Sequence, residues 1–170
     1  ARAQAVRKPH IVYILADDLG FADVGFHGSD IATPNIDHLA AEGARLTQFY
    51  TQPLCTPTRA ALMTGRWPLR YGLQTGVIPS GAVYGLDLKE RLLPQILKDA
   101  GYSTALVGKW HLGHGDRALW PMQRGFDYFY GPLVGEIDHF KHEAHGVTDW
   151  YRGNELLVEE GYDTDLFGAD

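Results

Sequence analysis

Apolar positions along the chain fall into short blocks separated by helix-length stretches. His10–Ala16 (HIVYILA) is a continuous apolar run rich in Ile, Val and Tyr, stopped by Asp17-Asp18. It predicts a buried strand. Thr33-Pro34-Asn35 predicts a helix start, with Thr33 as N-cap, Pro34 at the first helical position and Gly43 closing the helix. Ala44–Tyr50 reads as a second strand, and Pro57–Thr64 as a short helix closed by Gly65. Pro94–Ala100 predicts another helix, followed by Gly101, and Tyr102–Val107 a third strand ending in Gly108-Lys109-Trp110-His111. Strands alternating with helices predict an α/β fold, a sheet with helices on both faces. Thr148–Val158 reads as a hairpin turning near Arg152-Gly153-Asn154. Tyr162–Asp170 reads as the first turns of a helix capped by Asp163 or Thr164. Such a short helix has little reason to form by itself, so the sequence is expected to be the N-terminal part of a longer protein.

Composition narrows the class. With 170 residues, 45% of them hydrophobic, the chain can bury a core and is far too apolar to be disordered. The formal net charge is −6 and the pI about 5.7, which argues against a general nucleic-acid binder. The run Ile11–Ala16 is too short to span a bilayer. Ala3-Gln4-Ala5 resembles the small-residue end of a cleaved export signal, without the apolar region that precedes one. Residues 1–9 are therefore expected to be a leader remnant or a flexible end, and residues 10–170 one domain. Cys55 is the single cysteine, which rules out an intrachain disulfide and a Cys-based zinc site.

Three clusters at strand ends and helix starts carry candidate chemistry, where open α/β sheets bind ligands. Asp17-Asp18 pairs two carboxylates that repel unless a cation or hydrogen bonds hold them. Such hard oxygens suit Ca²⁺ or Mg²⁺; a solvated strand end is the simpler alternative. Cys55-Thr56-Pro57-Thr58-Arg59 places a thiol at a helix N-terminus, with Arg59 one turn on. That layout lowers a thiol pKa and binds tetrahedral anions; a buried Cys beside a surface Arg is the alternative. Lys109-x-His111, if extended, turns a cation and a proton carrier to one side. His139, His142 and His145 recur every third residue, but Gly135 and Gly146 mark a loop rather than a metal site. His27, His38 and His114 read as surface or loop residues.

Together these motifs resemble a known family. Cys55-Thr56-Pro57-Thr58-Arg59 with Thr64-Gly65-Arg66 is similar to the C-x-P-x-R…T-G-R signature of type I sulfatases. Gly101–His111 (GYSTALVGKWH) resembles that family's second signature, and Leu15–Gly20 (LADDLG) its N-terminal metal strand. The motifs stand in family order, and the likeness runs from Pro9 onward. Gln52–Pro57 and Gly108–Gly113 lean toward the arylsulfatase B (N-acetylgalactosamine-4-sulfatase) branch. Thr58 stands where Ser is usual and Met63 where Leu is common.

The resemblance implies an alkaline-phosphatase-like fold and formylglycine-dependent hydrolysis of sulfate esters. A formylglycine-generating enzyme would oxidise Cys55 to an aldehyde. One hydroxyl of its hydrate would attack sulfur and displace the alcohol, and deprotonation of the second would expel sulfate and restore the aldehyde. Asp17, Asp18 and residue 55 would bind one Ca²⁺. Arg59 would support the hydrate, Lys109 would bind sulfate oxygens, and His111 would assist deprotonation. Sulfated carbohydrates such as glycosaminoglycans are the expected substrates. Trp67, Tyr71, Tyr128, Tyr130 and Trp150 are available either to stack on sugar or to pack the core. No nucleic-acid or membrane partner is expected. Export to the periplasm, the cell exterior or the lysosome is.

The family's second half supplies a further His, an Asp-Asn pair and a second Lys, which have no counterparts here. These residues alone are therefore expected to bind Ca²⁺ weakly, to turn over little sulfate ester and to expose an apolar face. A phosphodiesterase or phosphonate hydrolase of the same superfamily, and a catalytically incomplete fragment that only binds a partner, are the alternatives.

Overall fold

A computed structural model describes residues 8–170. The leader expectation falls, up to Arg7, outside the described residues. The chain divides into two compact units, residues 1–49 and 50–170.

The first unit holds single 3-10 turns at Phe21–Asp23 and Gly25–His27 and one helix, α1 (Pro34–Glu42). Thr33 and Pro34 start α1 as predicted, and Gly43 follows it. The Thr33 hydroxyl does not cap the helix end. It donates to Asp37 Oδ1 at 2.9 Å and accepts from the Gly25 amide at 2.8 Å. Asp37 Oδ1 also accepts from the Phe26 amide at 2.9 Å, so the start of α1 holds the preceding turn.

The two strands predicted in this unit do not form. His10–Ala16 carries no ladder, and Val12 and Ile14 are 84% and 79% exposed. Ala44–Tyr50 is likewise irregular and exposed. An apolar β-rich run becomes a strand only against a neighbour that takes up its N–H and C=O groups. Among the described residues, none pairs with either run in a ladder.

The second unit is α/β. Helices α2 (Cys55–Thr64) and α3 (Leu93–Asp99) precede a four-stranded mixed sheet, and α4 (Asp163–Ala169) follows it. The sheet strands are β1 (Ala105–Val107), β2 (Tyr128–Gly131), β5 (Tyr151–Arg152) and β6 (Glu155–Leu156), in that order. A separate two-stranded ribbon pairs β3 (Glu143–Ala144) with β4 (Val147–Thr148). β1 and β2 are parallel, with Leu106 opposite Phe129. β5 and β6 form the predicted hairpin, with Tyr151 opposite Leu156. The third predicted strand is confirmed but shorter, and the final helix begins at Asp163 with Tyr162 as its N-cap.

Trp110, Leu112, Phe126, Phe129 and Leu133 pack with Ile78, Leu86 and Leu92 as the core. Burial of a side chain the size of Phe129 contributes about 1.5–3 kcal/mol. Arg124 is buried and donates to the carbonyls of Leu86, Asp87 and Glu90, each at 3.1 Å. Burial pulls its guanidinium pKa down. A second cluster stacks Trp150 between His142 and Phe167. Trp150 Nε1 and the Tyr130 hydroxyl both donate to Glu159 Oε2, at 3.0 and 2.7 Å. Burial, with Glu159 beside it, pushes the Tyr130 hydroxyl up to about 12.

Asp149 is buried and accepts from the Val134 amide at 2.8 Å. Burial raises its carboxyl above the ordinary range. A carboxyl raised by folding stabilises the fold below its unfolded pKa, and that stability is lost as pH rises through the folded value. Asp149→Asn removes this dependence. Urea denaturation will show the variant gaining stability over the parent between about pH 4 and about pH 7. An equal difference at both pH values contradicts the assignment.

Candidate active site

Helix α2 begins two residues before its predicted start, with Leu54 as N-cap and Cys55 as the first helical residue. Pro57 fits there because N–H groups of a first turn have no intrahelical partner to lose. The first helical bond is the Thr58 amide to the Leu54 carbonyl at 3.1 Å. Cys55 is thus a half-buried thiol on the first turn, where the helix dipole favours negative charge. At the other end, the Thr64 hydroxyl donates to the Ala60 carbonyl at 2.7 Å, and Gly65 turns the chain with φ 64°. Arg66 grips both oxygens of Glu90 at 2.6 Å. The Thr64-Gly65-Arg66 end of the signature therefore acts as a structural clasp.

Facing this helix is the loop after β1. Its amides continue the ladder to the next strand: Gly108 to the Tyr130 carbonyl, Trp110 to Pro132 and His111 to Leu133. His111 then leaves the extended conformation, with φ 57°. The same-side argument for Lys109-x-His111 required an extended segment and does not hold. Lys109 is half-buried, whereas His111 is 5% exposed. His111 Nε2 lies 2.9 Å from the Ile78 carbonyl. A carbonyl only accepts, so Nε2 carries the proton and Nδ1 is the ring's basic nitrogen. The ring lies on Gly135, where an added Cβ would sit 2.1 Å from its Cε1.

Two hydrogen bonds join helix and loop. Arg59 Nη1 donates to the Lys109 carbonyl at 2.5 Å. The Thr56 hydroxyl, fully buried, donates to the His111 carbonyl at 3.0 Å. Cys55, Arg59, Lys109 and His111, distant in sequence, thus sit on two segments tied to each other. Sequence reading missed Thr56; its one signal was a hydroxyl in a first helical turn, where short polar residues bond to nearby backbone.

Asp17 and Asp18 belong to the first unit. Both are exposed, and their carboxylate oxygens approach within 4.8 Å. Neighbours in a regular strand would point apart; Asp18 has φ 53°, which ends that alternation. Two converging hard oxygens fit Ca²⁺ or Mg²⁺ and not a soft metal.

Two of the three histidines that recur every third residue have structural partners. His139 pairs with Asp163 at 2.9 Å, His142 donates toward the Glu159 carbonyl at 3.1 Å, and His145 lies in the β3–β4 turn. Of the aromatics set aside for sugar stacking, Tyr130 and Trp150 belong to the core, Tyr71 and Tyr128 are half-buried, and Trp67 is 71% exposed. No helix among the described residues is long and apolar enough to cross a membrane.

The second unit is thus an α/β unit with a thiol on the first turn of a helix, and a lysine and a histidine on a loop bonded to that helix. The chain belongs to the sulfatase family, whose model matches residues 9–168. It is 50% identical over 167 residues to mouse arylsulfatase J, spanning 95% of this chain and 28% of that relative. It is 44% identical over 164 residues to mouse N-acetylgalactosamine-6-sulfatase, spanning 91% of this chain and 31% of that relative. Among solved structures, Ps i-CgsB superposes with TM-score 0.85 at 37% identity, covering 94% of this chain and 39% of that one. The chain thus spans under two-fifths of the length of each of these proteins. These neighbours carry the alkaline-phosphatase-like fold predicted from sequence.

Gly135→Ala tests the packing beneath His111. The added methyl displaces the imidazole, and overpacking of this kind costs about 1–3 kcal/mol. A thermal melt will show a lower Tm, and the His111 ring resonances will shift. An unchanged Tm and spectrum contradict the contact.

Proposed function

We propose that the protein hydrolyses sulfate esters, through a formylglycine made from Cys55 and a Ca²⁺ held by Asp17, Asp18 and residue 55. The observation that carries this reading is the pair of bonds from Thr56 and Arg59 to the segment of Lys109 and His111. These bonds tie the two signature segments together, with the thiol on the first turn of α2, and so support the reading. The aldehyde supplies a hydrated nucleophile for sulfur. Ca²⁺ supplies positive charge against the sulfate oxygens. Lys109 binds those oxygens as they gain charge. His111, protonated at Nε2 by its bond to Ile78, offers Nδ1 as the base. Arg59 holds the Lys109 backbone and adds positive charge beside the nucleophile.

Sulfated carbohydrates are the substrate class that similarity favours. Ps i-CgsB has been solved with k-i-k-neocarrahexaose bound, and a relative is an N-acetylgalactosamine-6-sulfatase. Exposed Trp67 is available to stack on a sugar ring. Export and encounter with a formylglycine-generating enzyme complete the proposal.

Mass spectrometry of the tryptic peptide Leu46–Arg59, from protein made in the native host, tests the nucleophile. An aldehyde at residue 55, trapped by a hydrazide, is the expected result; an unmodified thiol overturns the formylglycine reading. For the metal, Asp17→Asn and Asp18→Asn are expected to weaken Ca²⁺ binding by about 10-fold or more each, read by calorimetry. Unchanged Ca²⁺ affinity in both variants contradicts their role. Lys109→Ala is expected to lower kcat by about 100- to 1,000-fold; a loss confined to KM contradicts charge stabilisation by this lysine.

A further inference from the structure

We propose that Thr56 is a positioning residue that sets the orientation and tautomer of the His111 imidazole, an inference that rests on the catalytic reading of His111 above. The Thr56 hydroxyl donates to the His111 carbonyl and accepts from the Ile78 amide, both at 3.0 Å. The Ile78 carbonyl in turn lies 2.9 Å from His111 Nε2. Three residues thus close one loop of hydrogen bonds: Thr56 to His111, His111 to Ile78, and Ile78 to Thr56. All three are nearly excluded from solvent, at 0%, 5% and 1% exposure.

The arrangement holds His111 at both ends. Its carbonyl is fixed to helix α2, and its ring is fixed to a residue whose own amide hangs on the same hydroxyl. Remove that hydroxyl and a buried carbonyl and a buried amide both lose a partner, a loss that buried polar groups avoid by moving. Ile78 lies in a segment without regular secondary structure, and its carbonyl is the acceptor for Nε2. Its departure releases the proton choice between Nε2 and Nδ1 and frees the ring to turn on its left-handed backbone. Thr56 also directly follows Cys55, so one side chain couples the placement of the nucleophile's helix turn to that of the base. The logic is that of a base oriented by a third group.

Thr56→Val keeps the shape and removes the hydroxyl; Thr56→Ser keeps the hydroxyl; Thr56→Ala is a smaller deletion, read in the same way should Val not fold. Nitrogen-15 NMR of the imidazole, in its neutral state, reads the tautomer, and amide hydrogen exchange reads Ile78. In the parent and in Thr56→Ser, a single Nε2–H tautomer is expected. In Thr56→Val or Thr56→Ala, a mixture of tautomers is expected, with Ile78 exchange faster by about 10-fold relative to the core amides of Phe129 and Leu133. On sulfate esters, the hydroxyl-deleted variants are expected to lose about 10- to 100-fold in kcat with little change in KM, and Thr56→Ser to retain the parent's rate. A preserved tautomer, with exchange accelerated equally across the core, overturns the proposal and leaves Thr56 a packing residue. Protein purified from its native host that fails to hydrolyse sulfate esters overturns the functional reading instead, while the NMR arms still decide the role of Thr56.

Discussion

Everything in the candidate site depends on one buried contact, the Thr56 hydroxyl on the His111 carbonyl. Helix α2 and the loop after β1 are each locally well formed. The helix has its glycine terminator, and the loop has its ladder to residues 130–133. Neither element by itself fixes a thiol relative to an imidazole. The threonine contact, with the bond from Arg59 to Lys109, converts two sound local structures into a single site. A net hydrogen bond is worth only about 0.5–1.5 kcal/mol, but leaving buried partners unmade costs about 1–3 kcal/mol per group. The second figure is what makes the arrangement specific rather than merely stable.

The site is held together by backbone partners. Arg59 binds a carbonyl, Thr56 binds a carbonyl and an amide, and His111 Nε2 faces a carbonyl. Such partners do not titrate, so they impose the same orientation at any working pH. Gly135 completes the arrangement by giving the imidazole a surface with no side chain on it.

How much of this was legible in the sequence depends on range. Helices α1, α2 and α3 and the β5–β6 hairpin were readable because proline, glycine and turn residues act within a few positions. The signature segments stood out by spacing and resemblance, and two of them are hydrogen-bonded to each other in the structure. His10–Ala16 was misread as a formed strand because its pattern reports the propensity of the run and not the presence of a neighbour. Val12, at 84% exposure, shows the difference. The left-handed turn at His111 was invisible, since nothing about histidine announces a positive φ. Thr56 and Asp149 were missed for a related reason: their roles lie in partners 15 to 55 residues away, Ile78 and His111 for one and Val134 for the other.

The central claim is that this site was built for a sulfate ester rather than for a related phosphate ester. The roles proposed for Lys109 and His111 alongside residue 55 are the basis for that choice. The direct measurement is kcat/KM on matched aryl sulfate and aryl phosphate esters, with protein purified from its native host and a Cys55→Ala control. Turnover of the sulfate in strong preference to the phosphate, lost in the control, is the expected result. Preference for the phosphate ester, or sulfate turnover that survives in Cys55→Ala, would contradict it.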